Sequence, residues 1–209
     1  MNSSLTRRLT QTFLALALTG ASALPAITSA EAATPFCGVH WGSQSKSAGD
    51  VSTNVLMYNV RAGRHSCFDR LVIDLAAGQE YYKVGYVTQL RKPGGGPVVP
   101  LRGGARLSVL VAMHIRDTHG FPVYRPANPS DLVNVTGWRT FRQVKLAYSS
   151  NVNTPHLRAQ SASLPAARPS ASEYTNIGVG VRARLPFRVL TLPGTEGGIR
   201  LVVDVAHQW

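Results

Sequence analysis

Two carboxylates in this chain, Asp74 and Asp204, sit in a setting that invites chemistry. Each follows an arginine by four residues within a phrase that occurs twice. Arg-Leu-Val-Ile-Asp-Leu-Ala at 70–76 returns as Arg-Leu-Val-Val-Asp-Val-Ala at 200–206. Two carboxylates facing one another across a cleft could hydrolyse a glycoside. A structural role competes with that reading. Side chains alternate along a strand, so Leu71, Ile73 and Leu75 share one face while Arg70, Val72 and Asp74 share the other. The wholly apolar face must be core. If the two phrases pair antiparallel, Arg70 meets Asp204 and Arg200 meets Asp74 as cross-strand ion pairs. Structural networks perturb carboxylates as readily as active sites do, and the ion-pair reading is preferred.

The remaining reactive residues point less far. Cys37 and Cys67 are the only cysteines. With His40 and His65 they could make a tetrahedral zinc site. An oxidising compartment would consume the thiolates, and His-x-Cys is tight spacing for two ligands. An even cysteine count in an exported chain favours a disulfide between Cys37 and Cys67 instead. His114 and His119 are five apart, which in a strand places them on opposite faces. No Gly-x-Ser-x-Gly elbow occurs, and Gly94–Gly96 precedes neither a Gly-Lys-Ser/Thr sequence nor a helix. Trp41, Tyr81, Tyr82, Tyr86, Phe121, Tyr124 and Trp138 could stack on sugar rings, though aromatics of this spacing also suit half-buried sheet positions. No catalytic residue, metal or cofactor is expected.

Export follows from the N-terminus. Arg7 and Arg8 precede an apolar run from Phe13 to Leu24, Pro25 breaks it, and Ala30-Glu31-Ala32 offers small residues at a cleavage site. The run is shorter than the ~20 residues that cross a bilayer, and no second segment is long enough. The twin arginines lack the aromatic that folded-state export calls for, so ordinary export of the unfolded chain is expected. The chain thus divides into a signal peptide at 1–32 and one domain at 33–209. Without Arg7, Arg8 and Glu31, 20 basic residues stand against 9 acidic ones, a net charge of +11. Such a protein outside a membrane tends to sit on polyanions, in a bacterial envelope wall polymers or lipid head groups. Nucleic acid is excluded as a partner by export and by the lack of a basic-aromatic binding motif.

The elements that must carry these residues are strands. Beyond Cys37, short apolar alternations are punctuated by Gly and Pro, and no stretch keeps a helical period for three turns. Strands are expected at 53–60, 70–75, 82–88, 105–115, 143–148, 175–182, 187–192 and 199–206. About eight strands in a domain of this length make an all-β fold of two packed sheets, a sandwich or a barrel-like pair, with one disulfide. Residues 149–172, rich in serine, proline and alanine, read as a mobile loop.

The repeated phrase, preceded by an alternating strand and a hairpin, resembles the AMIN domain, the non-catalytic wall-targeting module of N-acetylmuramoyl-L-alanine amidases and of some secretins. More closely, the chain resembles the AMIN-like domain proteins of actinobacteria. The matching residues are Phe36-Cys37-Gly38, Trp41-Gly42-Ser43, Gly63-Arg64-His65, Cys67, Asp69-Arg70-Leu71-Val72-Ile73-Asp74, Gly178-Val179-Gly180-Val181-Arg182-Ala183 and Arg200 to His207. The resemblance implies two packed β-sheets and an envelope address, and it carries over no catalytic residue. The sequence departs from AMIN-bearing amidases in that no amidase domain follows, and from lipid-anchored relatives in lacking a lipobox.

These readings converge on a secreted or wall-associated, non-enzymatic β-domain that binds peptidoglycan or anionic wall polymers. Arg182, Arg184 and Arg188 are expected to meet the polymer from exposed positions, with Trp41 packed on glycan. The rivals are an envelope interaction module that takes a partner's strand at a sheet edge and a wall glycan hydrolase using Asp74 and Asp204.

Overall fold

The computed structural model describes residues 35–49, 55–76, 81–92, 96–117, 119, 121–149 and 174–209, the side chains of Tyr148 and Ser149 excepted. The signal-peptide reading at 1–32 and the loop reading at 150–172 fall outside the described residues.

Nine strands form two antiparallel sheets. They are β1 (Lys46–Ala48), β2 (Met57–Arg64), β3 (Phe68–Leu75), β4 (Tyr82–Val87), β5 (Ala105–Val111), β6 (Phe141–Ser149), β7 (Thr175–Val181), β8 (Phe187–Pro193) and β9 (Ile199–Ala206). One sheet has the order β2-β3-β9-β8, the other β1-β4-β5-β7-β6. No α-helix occurs among the described residues. No described helix is long and apolar enough to cross a membrane.

The period of two builds the core between the sheets. Leu71, Ile73 and Leu75 of β3 are buried alternately with half-buried neighbours, and β5 repeats the pattern with Leu107, Val109 and Val111. They close against Leu201, Val203 and Val205 of β9, Ile177, Val179 and Val181 of β7, and the rings of Phe141 and Phe187. Burying each large apolar side chain contributes about 1.5–3 kcal/mol. Tyr86 stands edge-on to Phe187 at 5.7 Å, and its hydroxyl donates to the Leu185 carbonyl at 2.7 Å. Burial is the leading cause that pushes the Tyr86 phenol up to about 12, against that hydrogen bond and the nearby Arg184 charge.

A second, small core lies on the outer side of the five-stranded sheet. Leu90, Val99, Leu101 and Ala147 pack there. The chain can come this close because β7 offers glycine on that face. A Cβ on Gly178 would strike the Leu90 and Leu101 methyls, and one on Gly180 would strike the Arg102 carbonyl oxygen. Glycine in a strand interior often marks such a close approach, and it explains why every residue of β7 is buried.

One strand is additional, and several expected boundaries shift. β1 is an additional strand, three residues at a sheet edge paired with β4, with no apolar alternation to announce it. β2 continues through the polar Arg61-Ala62-Gly63-Arg64, because its ladder with β3 is satisfied by backbone and needs no apolar side chain there. β5 ends at Val111, not at 115. The chain leaves the sheet so that His114 can bond Val55 and Met57 through its backbone. Histidine parity along a strand from 105 to 115 therefore does not apply. Ser149, expected in the loop, is the last residue of β6 and pairs with Thr175.

Candidate functional site: the outer face of the four-stranded sheet

The two copies of the repeated phrase are β3 and β9, the central strands of the four-stranded sheet, and they pair with one another antiparallel. Arg70 lies opposite Asp204, Val72 opposite Val202 and Asp74 opposite Arg200. Two near-identical phrases in antiparallel register form a local two-fold centred on the two valines. All six residues have outward parity. β2 adds Arg61 and Asn59 to this face, and β8 adds Arg188, Leu190 and Leu192.

The two ends of this pseudo-symmetric face differ. At one end Arg70 forks onto Asp204, Nε to Oδ1 at 2.6 Å and Nη2 to Oδ2 at 2.8 Å. Arg188 reaches the same carboxylate from the opposite flank, Nε to Oδ2 at 2.7 Å. Asp204 is 0% exposed although its strand parity is outward, while the two arginines keep 24% and 26% exposure. The cover is aromatic. The Arg188 guanidinium lies over Trp41 at 5.4 Å and Phe68 at 5.3 Å, and that of Arg70 lies over Phe68 at 5.1 Å. The hydrogen bond to Asp204 leads in raising the Arg70 pKa above its ordinary value, burial opposes it, and the carboxylate's charge adds to the rise.

Trp41 arrives there on the N-terminal arm, and the arm is held by a bond between Cys37 and Cys67 across a separation of 30 residues. Closing a loop of that size constrains the unfolded chain by roughly 3–4 kcal/mol in the chain-entropy picture. The Gly42 carbonyl accepts from the Phe187 amide at 2.8 Å, and Trp41 Nε1 donates to Phe36 O at 2.8 Å. The zinc alternative at Cys37, His40, His65 and Cys67 is thereby overturned, since both sulfurs are used. His65 instead stacks on Phe68 at 4.4 Å. Among the described residues no group of three His, Cys, Asp or Glu side chains could hold a metal ion.

At the other end the expected Arg200–Asp74 pair does not form. Arg61 of β2 takes Asp74, Nε to Oδ2 at 2.8 Å and Nη2 to Oδ1 at 2.7 Å. Arg200 turns away and donates its Nε to the Pro193 carbonyl at 2.9 Å. Diagonal reach from β2 has outcompeted the direct cross-strand neighbour. Among the described residues no aromatic ring stacks on the Arg61 guanidinium, and the pair is 50% and 25% exposed.

Arg188 and Trp41 are thus brought together, but as parts of the cover over Asp204. Arg188 was expected to be an exposed contact and is half-buried, because a buried carboxylate lies directly across from it. Arg182 and Arg184 are exposed on the connection between β7 and β8. Arg182 donates to the His207 carbonyl, and Arg184 lies over the Tyr86 ring at 5.2 Å. Both oxygens of Asp74 and both of Asp204 accept from guanidinium groups, which occupies the atoms a hydrolase would need.

Sequence reasoning missed a third carboxylate. Asp69 is fully buried. Its Oδ2 accepts from the Thr140 and Phe141 amides at 2.8 and 2.9 Å, and its Oδ1 lies 3.2 Å from His207 Nε2. It ties β3 of one sheet to the start of β6 in the other. The signal was available: Asp69 shares parity with Leu71, Ile73 and Leu75, so a charge there must lie on the core side.

Two grooves open on the face. The larger, about 640 Å³, runs past Tyr58, Asp74 and Glu196; the smaller, about 250 Å³, lies over Val72 and Val202. Arg61 and Arg200 border both.

The AMIN-like domain model matches residues 55–165 and 166–207, which takes in every strand from β2 to β9 and the whole of this face. The chain belongs to the AMIN-like domain family. Comparison with curated proteins returns no match, and comparison with solved structures returns none either. The matched part of the AMIN-like domain includes Cys67 and both repeated phrases, while Cys37, Trp41 and β1 precede it. The arm that carries Trp41 precedes the matched residues and is fastened to them by the disulfide.

Proposed function

We propose that this AMIN-like domain is an exported, non-catalytic module retained by anionic polymers of the bacterial cell wall. Family membership supports an envelope-targeting, non-catalytic role. The observation that carries the reading is the charge on the outer sheet face. Four arginines, Arg61, Arg70, Arg188 and Arg200, stand there against two aspartates, on four hydrogen-bonded strands of one sheet. Arg182 and Arg184 extend the cationic surface at the end of β7, and the net charge of the whole chain is +12. Fixed cations on a rigid sheet raise the local concentration of a polyanion. Trp41, whose ring lies against the Arg188 guanidinium, is the aromatic proposed to pack on glycan.

Retention on purified walls across a salt series tests the proposal. Binding should weaken steeply as salt rises, since exposed charges are screened. Arg182→Glu with Arg184→Glu should weaken it further while leaving the melting temperature nearly unchanged. Retention that ignores salt argues for strand addition at a sheet edge such as β2. Release of soluble wall fragments, lost in Asp204→Asn, would put the hydrolase in its place.

A further inference from the structure

The smaller groove has a chemistry of its own. Its charged lining is cationic throughout: Arg61, Arg70 and Arg200, with His65 at one end. The larger groove, by contrast, is bordered by Asp74 and Glu196. Two of the three arginines are committed. Arg61 forks onto Asp74 and Arg70 onto Asp204. Arg200 has no carboxylate partner among the described residues, and its one hydrogen bond uses Nε on Pro193 O. Its two terminal nitrogens keep their donors. The floor is apolar and shallow, formed by Val72, Val202 and Leu192. A space of about 250 Å³ is below the usual range for a drug-sized ligand, so it suits an end group and not a sugar repeat.

We infer that this groove binds the C-terminal carboxylate of a short peptide ending in a small apolar residue such as alanine, with Arg200 as the anchor. One uncompensated guanidinium matches one negative charge. A planar carboxylate meets a guanidinium edge in two parallel hydrogen bonds, which a tetrahedral phosphate dianion in a singly cationic cleft does not better. The methyl of a terminal alanine lies on Val72 and Leu192, the half-buried apolar residues of the groove. The inference rests on the wall reading for its biological source, the peptide stems of the wall, but the groove's chemistry stands apart from it.

The test is a titration of the full chain with N-acetyl-alanine, N-acetyl-alanine amide and inorganic phosphate, followed by calorimetry or by chemical shifts of β9 amides. The acid should bind at least tenfold more tightly than the amide and more tightly than phosphate. Arg200→Gln should lose at least tenfold for the acid with an unchanged melting temperature. Arg200→Lys, which keeps the charge but not the fork, should fall between the two. Equal binding of acid and amide, tighter binding of phosphate, or an Arg200→Gln variant that binds like the parent overturns the inference. If N-acetyl-alanine binds as stated while purified walls are not retained, the groove stands and the wall reading falls. If walls are retained and N-acetyl-alanine is ignored, the reverse holds.

Discussion

Asp204 and Asp74 occupy equivalent places in a repeated phrase, in equivalent register about the Val72–Val202 centre, and they live in different media. Asp204 is held by two arginines beneath aromatic rings, and water does not reach it. Asp74 is held by one arginine at the open surface. The phrase itself does not make the difference. The flanking strands do: β8 sets Arg188 directly across from Asp204, while β2 sets Asn59 directly across from Asp74. Above that, the disulfide-tethered arm places Trp41 over one end only. The lesson is that an ion pair's worth is set by what covers it. Charges in a low-dielectric setting attract several-fold more strongly than in water, and they also lose more when the partner is removed.

Changes at the two ends should therefore give effects of different size. The largest is expected for Asp204→Asn, which strands two arginines that have already lost most of their water. It should cost about 3–5 kcal/mol in urea unfolding. A loss below 1 kcal/mol would show that the two ends are equivalent after all. Next is removal of the cover. Cys37→Ser with Cys67→Ser should cost roughly 3 kcal/mol through the unfolded chain. It should also speed hydrogen exchange of the amides around Asp204, leaving those around Asp74 unaltered. Exchange that rises equally at both ends would detach the arm from the comparison. Asp74→Asn should cost only about 0.2–1 kcal/mol, as exposed pairs do, and much of that should vanish in high salt. The smallest effect sharpens the argument most. Asn59→Arg puts a second arginine across from Asp74, copying the placement of Arg188. Without a cover it should add no more than about 0.5 kcal/mol; a gain near the Asp204 value would mean that the number of arginines matters and burial does not.

Much of the fold was legible because alternation is a local property. The parity of Leu71, Ile73 and Leu75, and of Leu201, Val203 and Val205, assigns a core face to each strand whatever the partner. The bond between Cys37 and Cys67 followed from their number and from the export signal. The Arg70–Asp204 pair followed from assuming that like phrases pair antiparallel. β1 was not legible, since the three edge residues Lys46-Ser47-Ala48 are too few to carry a period. The extension of β2 through Arg61 to Arg64 was hidden for the same reason.

What the sequence determined by itself is the set of strands, the face each turns inward and the cationic excess, because these depend on neighbours one or two residues away. Only the tertiary structure decided which arginine answers which aspartate. Arg61 takes Asp74 by reaching diagonally from β2, and Arg200 is left bordering the groove with its Nε on Pro193 O. It decided too that Arg188, read as exposed, is half-buried, since burial there comes from an arm some 150 residues away in the chain, closed over it by a disulfide. Competition among donors from different strands is a matter of distances in space, and no spacing along the chain encodes its winner.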